Sequence, residues 1–370
     1  MSDEEHGESG GARYCSQPKV PARVFDRSVS PHRAELIARN MKKWVNGTTL
    51  HYYFFDQDSD GEHVQLSDGS WRWVPWAASE DEKDVVRQGF AAWAGVGIGL
   101  EFKEVDRREE AEVRIGFMQG DGAWSYVGRD VIDVAPGIHE RTMNFGWSLL
   151  WGDGLDTAIH EIGHTLGFPH EHQNPNAGIV WNEEAVYEAL AAPPNNWSRD
   201  KTHYNIIRKL DPAEVGGSSW DPDSIMHYPF EAGLIKAPER YQDGLEPAPG
   251  LSEVDIAEVR RIYPPQEEEL EELKPFQSQV LDIRPGEQVD FVVLPDSTRE
   301  YNFRTFGVSD TVMVLFEEYD GELRYYHGDD DSGTDLNASF KARLRSGRRY
   351  VLRLRLYYAD VSGQAALMMW

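Results

Sequence analysis

The 370-residue sequence predicts an α+β domain followed by an all-β sandwich. Three observations carry this. Residues 42–264 mix short period-2 runs with two strong helical patterns, as a mixed α+β domain requires. The helical pattern ends at Pro264 and Pro265, and a charge run over 266–274 follows. From Phe276 onward short alternating runs recur between Pro-Gly, Asp-Gly and Ser-Gly turns, the mark of a sandwich. The expected division is a leader over 1–41, an α+β domain over 42–264, an acidic linker over 265–275 and a β-sandwich over 276–370. Two domains suit this length, and 40% hydrophobic with 12% aromatic residues supply real cores.

The leader is glycine- and charge-rich, then carries Pro18 and Pro21, with a helix expected over 31–41. Residues 50–55 alternate as a strand, and 67–70 read as a turn. Between them Asp56, Asp58 and Asp60 resemble the first half of a calcium loop. The twelfth position is Ser67 in place of the bidentate glutamate, which favours a hairpin tip. Ser79 and Glu82 form a capping box, and Val85, Val86, Gly89, Phe90 and Trp93 then recur at helical spacing. Strands follow over 100–105, 112–117 and 142–147, and a second helix begins near Leu155. Residues 181–210 read as helix and loop. Ser252 with Asp255 caps a last helix ending at Tyr263. Beyond the linker, strands are expected over 280–283, 288–293, 300–305, 312–317, 338–344 and 350–356. The Asp329, Asp330, Asp331 cluster offers hard oxygen donors for calcium, but the motif is weak and a polar loop tip that needs no ion is the favoured reading.

The most specific chemistry lies on the second helix. His160 and His164 are four apart, so their imidazoles stack on one face and can share one ion. Glu161 sits one step round, where a carboxylate can act as a general base without being a ligand. Gly167 can take the left-handed conformation that stops the helix, Pro169 forbids more helix, and the turn can return His170 as third ligand. The alternative, histidines merely facing solvent or core, fits five matched positions poorly. One zinc ion per chain is expected, with His160, His164 and His170 neutral and a fourth position open.

Downstream lie Ser224, Ile225, Met226, His227 and Tyr228. Alone they would be an ordinary turn with a buried methionine. With the extended HExxHxxGxxH signature they resemble the Met-turn of the metzincin peptidases, and the tyrosine two residues after Met226 narrows the resemblance to the astacin family. Residues 42–47, 122–128 and 251–256 resemble the first strand entry, the upper sheet and the last helix of that family's domain. The resemblance implies a mixed sheet above an active-site helix, with a cleft between two subdomains. It implies peptide-bond hydrolysis on protein or peptide substrates, with Glu161 as general base and Tyr228 as a fifth zinc ligand that swings away to stabilise the transition state. Glu171 matches the glutamate that binds the mature N-terminus. Animal members brace the domain with disulfides, whereas Cys15 alone can form no internal disulfide. Residues 276–370 resemble the bacterial prepeptidase C-terminal module. A catalytically idle zinc scaffold with an adhesion module is the competing reading, against which Glu161 speaks.

Arg13 to Pro18 resembles in outline the cysteine switch of matrix metalloproteinases, where a propeptide thiolate takes the open zinc position. Zinc binds thiolate strongly, so Cys15 is a candidate inhibitory ligand of a latent zymogen. A thiol in a solvated tail is the other reading. A formal net charge of −27 excludes nucleic acid and anionic membrane as expected partners. No apolar run is long enough to span a bilayer, and the acidic start lacks the features of a secretory signal. A cytoplasmic or unconventionally exported monomer is therefore expected.

Overall fold

The computed structural model describes residues 12–21, 42–66, 68–134, 137–211, 219–265, 270–319, 321–358 and 361–370. The helix expected over 31–41 and the first part of the charge run, 266–269, lie outside them. The chain forms two compact units. One takes residues up to Trp44 together with His51–Trp93 and Glu104–Asp255, and the other gathers Val45–Leu50, Ala94–Lys103 and Ile256–Trp370.

The first part of the chain carries strands β1 (Thr49–Phe54), β2 (Gly61–Gln65) and β3 (Trp71–Pro75), then helix α1 (Glu80–Gly95). Strands β4 (Glu101–Glu104), β5 (Val113–Gly116) and β6 (Trp124–Ser125), the short helix α2 (Asp130–Asp133), β7 (Met143–Asn144) and helix α3 (Gly154–Thr165) follow. Five strands form one mixed sheet in the order β4-β1-β5-β7-β6. β1, β5 and β7 run parallel, and β6 lies antiparallel at the edge. Leu50, Tyr52, Tyr53 and Phe54 are all buried, as expected of a strand covered on both faces. The strand expected over 142–147 shortens to two residues because the Asn144 side chain turns to the neighbouring loop. It accepts from Met118 N and donates to Gly122 O, each at 2.8 Å.

The serine half of the expected capping box forms, with Glu82 N donating to Ser79 Oγ at 3.3 Å, while the Glu82 carboxylate meets the Ser79 hydroxyl. The apolar stripe of α1 packs on α3. At Gly89 an added Cβ would stand 2.9 Å from Ile162 Cδ1, so glycine allows the two helices to close up. Trp93, just 1% exposed, donates from Nε1 to Ile159 O at 2.9 Å. The far end of α3 closes with a Schellman pair: Gly167 takes φ 93°, and Phe168 N reaches back to Gly163 O at 3.1 Å. Lys43 Nζ lies 2.5 Å from Gly167 O, a cation placed at the negative end of the helix.

Beyond α3 come β8 (Val180–Trp181), α4 (Glu183–Ala191), α5 (Arg199–Thr202) and β9 (Ile235–Ala237), with β8 and β9 paired antiparallel. Ile179, Trp181, Val186, Leu190, Ile206 and Phe230 pack there as a second core. Helix α6 (Glu253–Ile262) opens on a reciprocal cap: Asp255 N donates to Ser252 Oγ at 2.9 Å and Ser252 N to Asp255 Oδ2 at 3.0 Å.

The C-terminal strands are β10 (Glu271–Glu272), β11 (Ser278–Ile283), β12 (Gln288–Val293), β13 (Arg299–Phe306), β14 (Thr311–Tyr319), β15 (Glu322–Asp329), β16 (Ser339–Leu344), β17 (Tyr350–Leu356) and β18 (Gly363–Met369). They form two sheets, β10-β12-β17-β14-β15 and β11-β18-β13-β16, around a core that includes Phe291, Phe303, Leu315, Leu352 and Leu367. β12 and β17 coincide with their expected ranges. β15 has no counterpart among the expected strands, because an exposed edge strand needs no alternation. β18 has none either, although Ala365, Leu367 and Met369 alternate inward, since Gly, Ala and Met are weak strand formers.

Candidate metal centre

Helix α3 presents His160 and His164 on one face, and the chain after Gly167 returns His170 to them. His160 Nδ1 donates to Ile225 O at 2.7 Å, and His164 Nδ1 to Phe168 O at 2.7 Å. Each ring therefore turns a lone pair at Nε2 toward the common centre. His160 Nε2 is buried and has no hydrogen-bond partner among the described residues, while His164 Nε2 lies 3.0 Å from His170 Nε2. Burial lowers the pKa of all three rings, that of His160 to about 4, which keeps them neutral. The donor atoms of Cys15, His160, His164 and His170 all lie within 4.8 Å of one another and are buried. Nitrogen lone pairs and a sulfur gathered this way fit a zinc ion, which accepts both donor types.

Glu161 is wholly buried beside them. Its Oε2 stands 3.5 Å from Cys15 Sγ, its Oε1 has no partner among the described residues, and burial pushes its carboxyl up to about 8. Burial, and next the Glu161 carboxylate, hold the Cys15 thiol well above its ordinary value. A bound cation reverses that sense. The Tyr228 hydroxyl donates to Cys15 O at 2.8 Å and also meets His170 Nε2. Its pKa is raised by burial first.

The floor of the site is built from the 224–228 turn. At Gly163, between the two helical histidines, an added Cβ would collide with Met226 Sδ, so the absence of a side chain there admits the thioether. Asp255 holds this turn, accepting from Ser224 Oγ at 2.6 Å and Ile225 N at 2.8 Å. The sequence marks Asp255 only as a helix cap; its second role joins residues about thirty apart and has no local pattern. Glu171 accepts from Asn174 Nδ2 and Asp221 N, and burial raises its carboxyl to about 7. His172 and His227 are buried but donate to Asn205 O and Tyr228 O, and His203 is exposed.

Residues 12–20 lie against this centre. Ser16 N donates to Ala123 O at 3.0 Å, next to edge strand β6. Gln17 N donates to Asn205 Oδ1 at 3.0 Å, and its side-chain amide lies against the His164 ring. Gln17 and Asn205 do not stand out in the sequence because their types carry no motif. Among the described residues, no other group of three or more metal-donor side chains converges. In the acidic loops the carboxylates are engaged locally: Asp60 with Arg108 and Gln57 N, and Asp329 with Ser332 and Ser339. Among the described residues no helix is long and apolar enough to cross a membrane.

The astacin (peptidase family M12A) sequence profile matches residues 69–264. Human Tolloid-like protein 1 is 31% identical over 171 residues, covering 43% of this chain and 15% of that protein. Metalloendoproteinase 1-MMP of Arabidopsis thaliana is 30% identical over 144 residues, covering 34% of this chain and 39% of that protein. The chain thus spans a small part of the curated relatives it matches. The structure of myroilysin superposes with a TM-score of 0.50 at 26% identity, covering 62% of this chain and 98% of that one. The profile, the relatives and the buried histidine cluster agree, and the chain belongs to the astacin family of metzincin-type zinc metalloendopeptidases.

Proposed function

We propose that this chain is a zinc-dependent endopeptidase made in a latent form, in which Cys15 takes the fourth position at a metal held by His160, His164 and His170. The observation that carries the reading is the convergence of those four donors within 4.8 Å, with Glu161 buried beside the thiol. Zinc bound there supplies a Lewis acid that polarises the substrate carbonyl and acidifies the attacking water. Glu161 takes that water's proton and passes it to the leaving amine, a task suited to a carboxylate that is buried beside the ligands without being one of them. Tyr228 donates a hydrogen bond to the carbonyl oxygen as charge develops on it. In the latent chain the Cys15 carbonyl receives that same bond, which supports the assignment.

Met226 supports the ligand helix from below, and Asp255 fixes the turn that carries Met226 and Tyr228. Glu171, raised by burial, is the acceptor we assign to a new N-terminal ammonium after the leader is cut, which would restore its charge. The units we propose are the leader over 1–41, the peptidase over 42–264, the linker over 265–275, whose Glu271–Glu272 pairs with β12 as a strand of the sandwich, and an all-β module over 276–370.

The test compares casein hydrolysis by the intact chain, by the intact Cys15→Ala variant, and by the chain cut within residues 22–41. Hydrolysis that is low in the first and high in the other two is expected. Equal activity in all three would remove Cys15 from control, and none in any would support the idle scaffold.

A further inference from the structure

The leader is held by more than its thiol. Tyr14 is 5% exposed and sits among Tyr228, Phe230 and Trp197, with ring centroids 5.2, 5.8 and 6.3 Å away. Ile206, Ala177 and Leu190 belong to the same hydrophobic cluster as these rings. Asn195 clamps the main chain next to it: its Oδ1 accepts from Tyr14 N at 3.2 Å and its Nδ2 donates to Ala12 O at 2.9 Å. On the other side of Cys15 the chain bonds to Ala123 O and Asn205 Oδ1. A cavity of about 490 Å³ continues along Ser16 to Lys19. These contacts, Tyr14 apart, read backbone and not side chains, so they would serve any extended peptide.

Resting on the peptidase reading above, we infer that the Tyr14 pocket is a substrate subsite selecting a large aromatic side chain within two residues of the cleaved bond, with Asn195 as a positioning residue for the substrate main chain. Three physical points support this. The Tyr228 hydroxyl that bonds Cys15 O belongs to the same side chain whose ring walls the Tyr14 pocket, so the pocket adjoins the reaction centre. Once the leader departs, a concave wall of Trp197, Tyr228 and Phe230 is left to water, and an apolar side chain of matching size is what such a pocket binds best. A carboxylate entering between those rings would lose its hydration, which disfavours an acidic side chain at the same position.

The test uses the full chain with Cys15→Ser and a site-specific protease sequence placed within residues 22–41, cut and freed of its leader. A peptide library cleaved by this protein should show Tyr, Phe or Trp at one fixed position near the cut, preferred over Ala by roughly tenfold or more, with Asp and Glu last. In a competition assay on the same leader-free chain, synthetic peptides of residues 12–19 carrying the native Cys15 should bind within about threefold for Tyr14→Phe, and roughly ten- to hundredfold more weakly for Tyr14→Ala. Asn195→Ala in the cut chain should raise KM about tenfold with kcat within twofold, the mark of lost uniform binding. A library profile flat at every flanking position while casein is degraded, or a Tyr14→Ala peptide as tight as the native one, overturns the inference and leaves the peptidase reading standing. No casein hydrolysis by the cut chain removes the peptidase reading itself, and the inference with it.

Discussion

The metal centre and the C-terminal sandwich both bury charge or polarity, and they treat it in opposite ways. In the sandwich, Arg353 on β17 lies directly across from Asp290 on β12, and Nε and Nη2 bond both carboxylate oxygens at 2.7–3.1 Å. The charges are closed on each other, with Arg353 2% exposed. At the metal centre, His160 Nε2 and Glu161 Oε1 are buried without a partner among the described residues, and donors point to a common place. A buried polar group costs about 1–3 kcal/mol when its bond is missing. In this pair the two charges offset each other, whereas at the centre the buried donors converge on one place, as binding a ligand requires. Convergence of buried donor atoms on one place is here the sign of function, and a pair closed on itself across two strands is the sign of structure.

The comparison can be broken most severely at Glu161. Glu161→Gln in the cut chain should lower casein hydrolysis by about a thousandfold while zinc content stays at one per chain by elemental analysis. Retained hydrolysis would mean that the open carboxylate has no catalytic task. The sandwich counterpart is Arg353→Met, which leaves Asp290 buried and unpaired; calorimetry should show a loss of about 3–5 kcal/mol, with zinc content unchanged. Replacing both Arg353 and Asp290 by apolar residues should recover most of that stability, which no change at the metal centre would do. Tyr228→Phe should reduce kcat by about a hundredfold at constant zinc content, since only a hydrogen bond to developing charge is removed. The smallest effect is expected at Asp255: Asp255→Asn keeps the shape but weakens the bonds to Ser224 and Ile225. It should lower stability by about 1–2 kcal/mol, read as an earlier thermal transition.

The same contrast explains what can be read from the sequence. His160, Glu161, His164, Gly167 and His170 are legible because one helix and its stop place them, so spacing alone carries the geometry. Cys15 is legible only as a candidate, since no spacing rule spans the stretch from residue 15 to residue 160; its position beside Glu161 and His164 is a tertiary fact. Asn195 and Asn205 act through single side-chain amides on a distant backbone, for which no local pattern exists. In the sandwich, β12 and β17 match their expected ranges because alternation repeats along a buried face. Strand β15 does not declare itself because Arg324, Tyr325 and Tyr326 face outward at the edge. Arg353 looks like a solvated charge, and only the register with Asp290 makes it internal.

The account turns on whether Cys15 holds the metal in the intact chain, and zinc K-edge absorption measures that directly. One sulfur at about 2.3 Å with nitrogen neighbours is predicted for the intact protein, and its loss in Cys15→Ser together with a gain in casein hydrolysis. A coordination sphere of nitrogen and oxygen alone in the intact chain would contradict it.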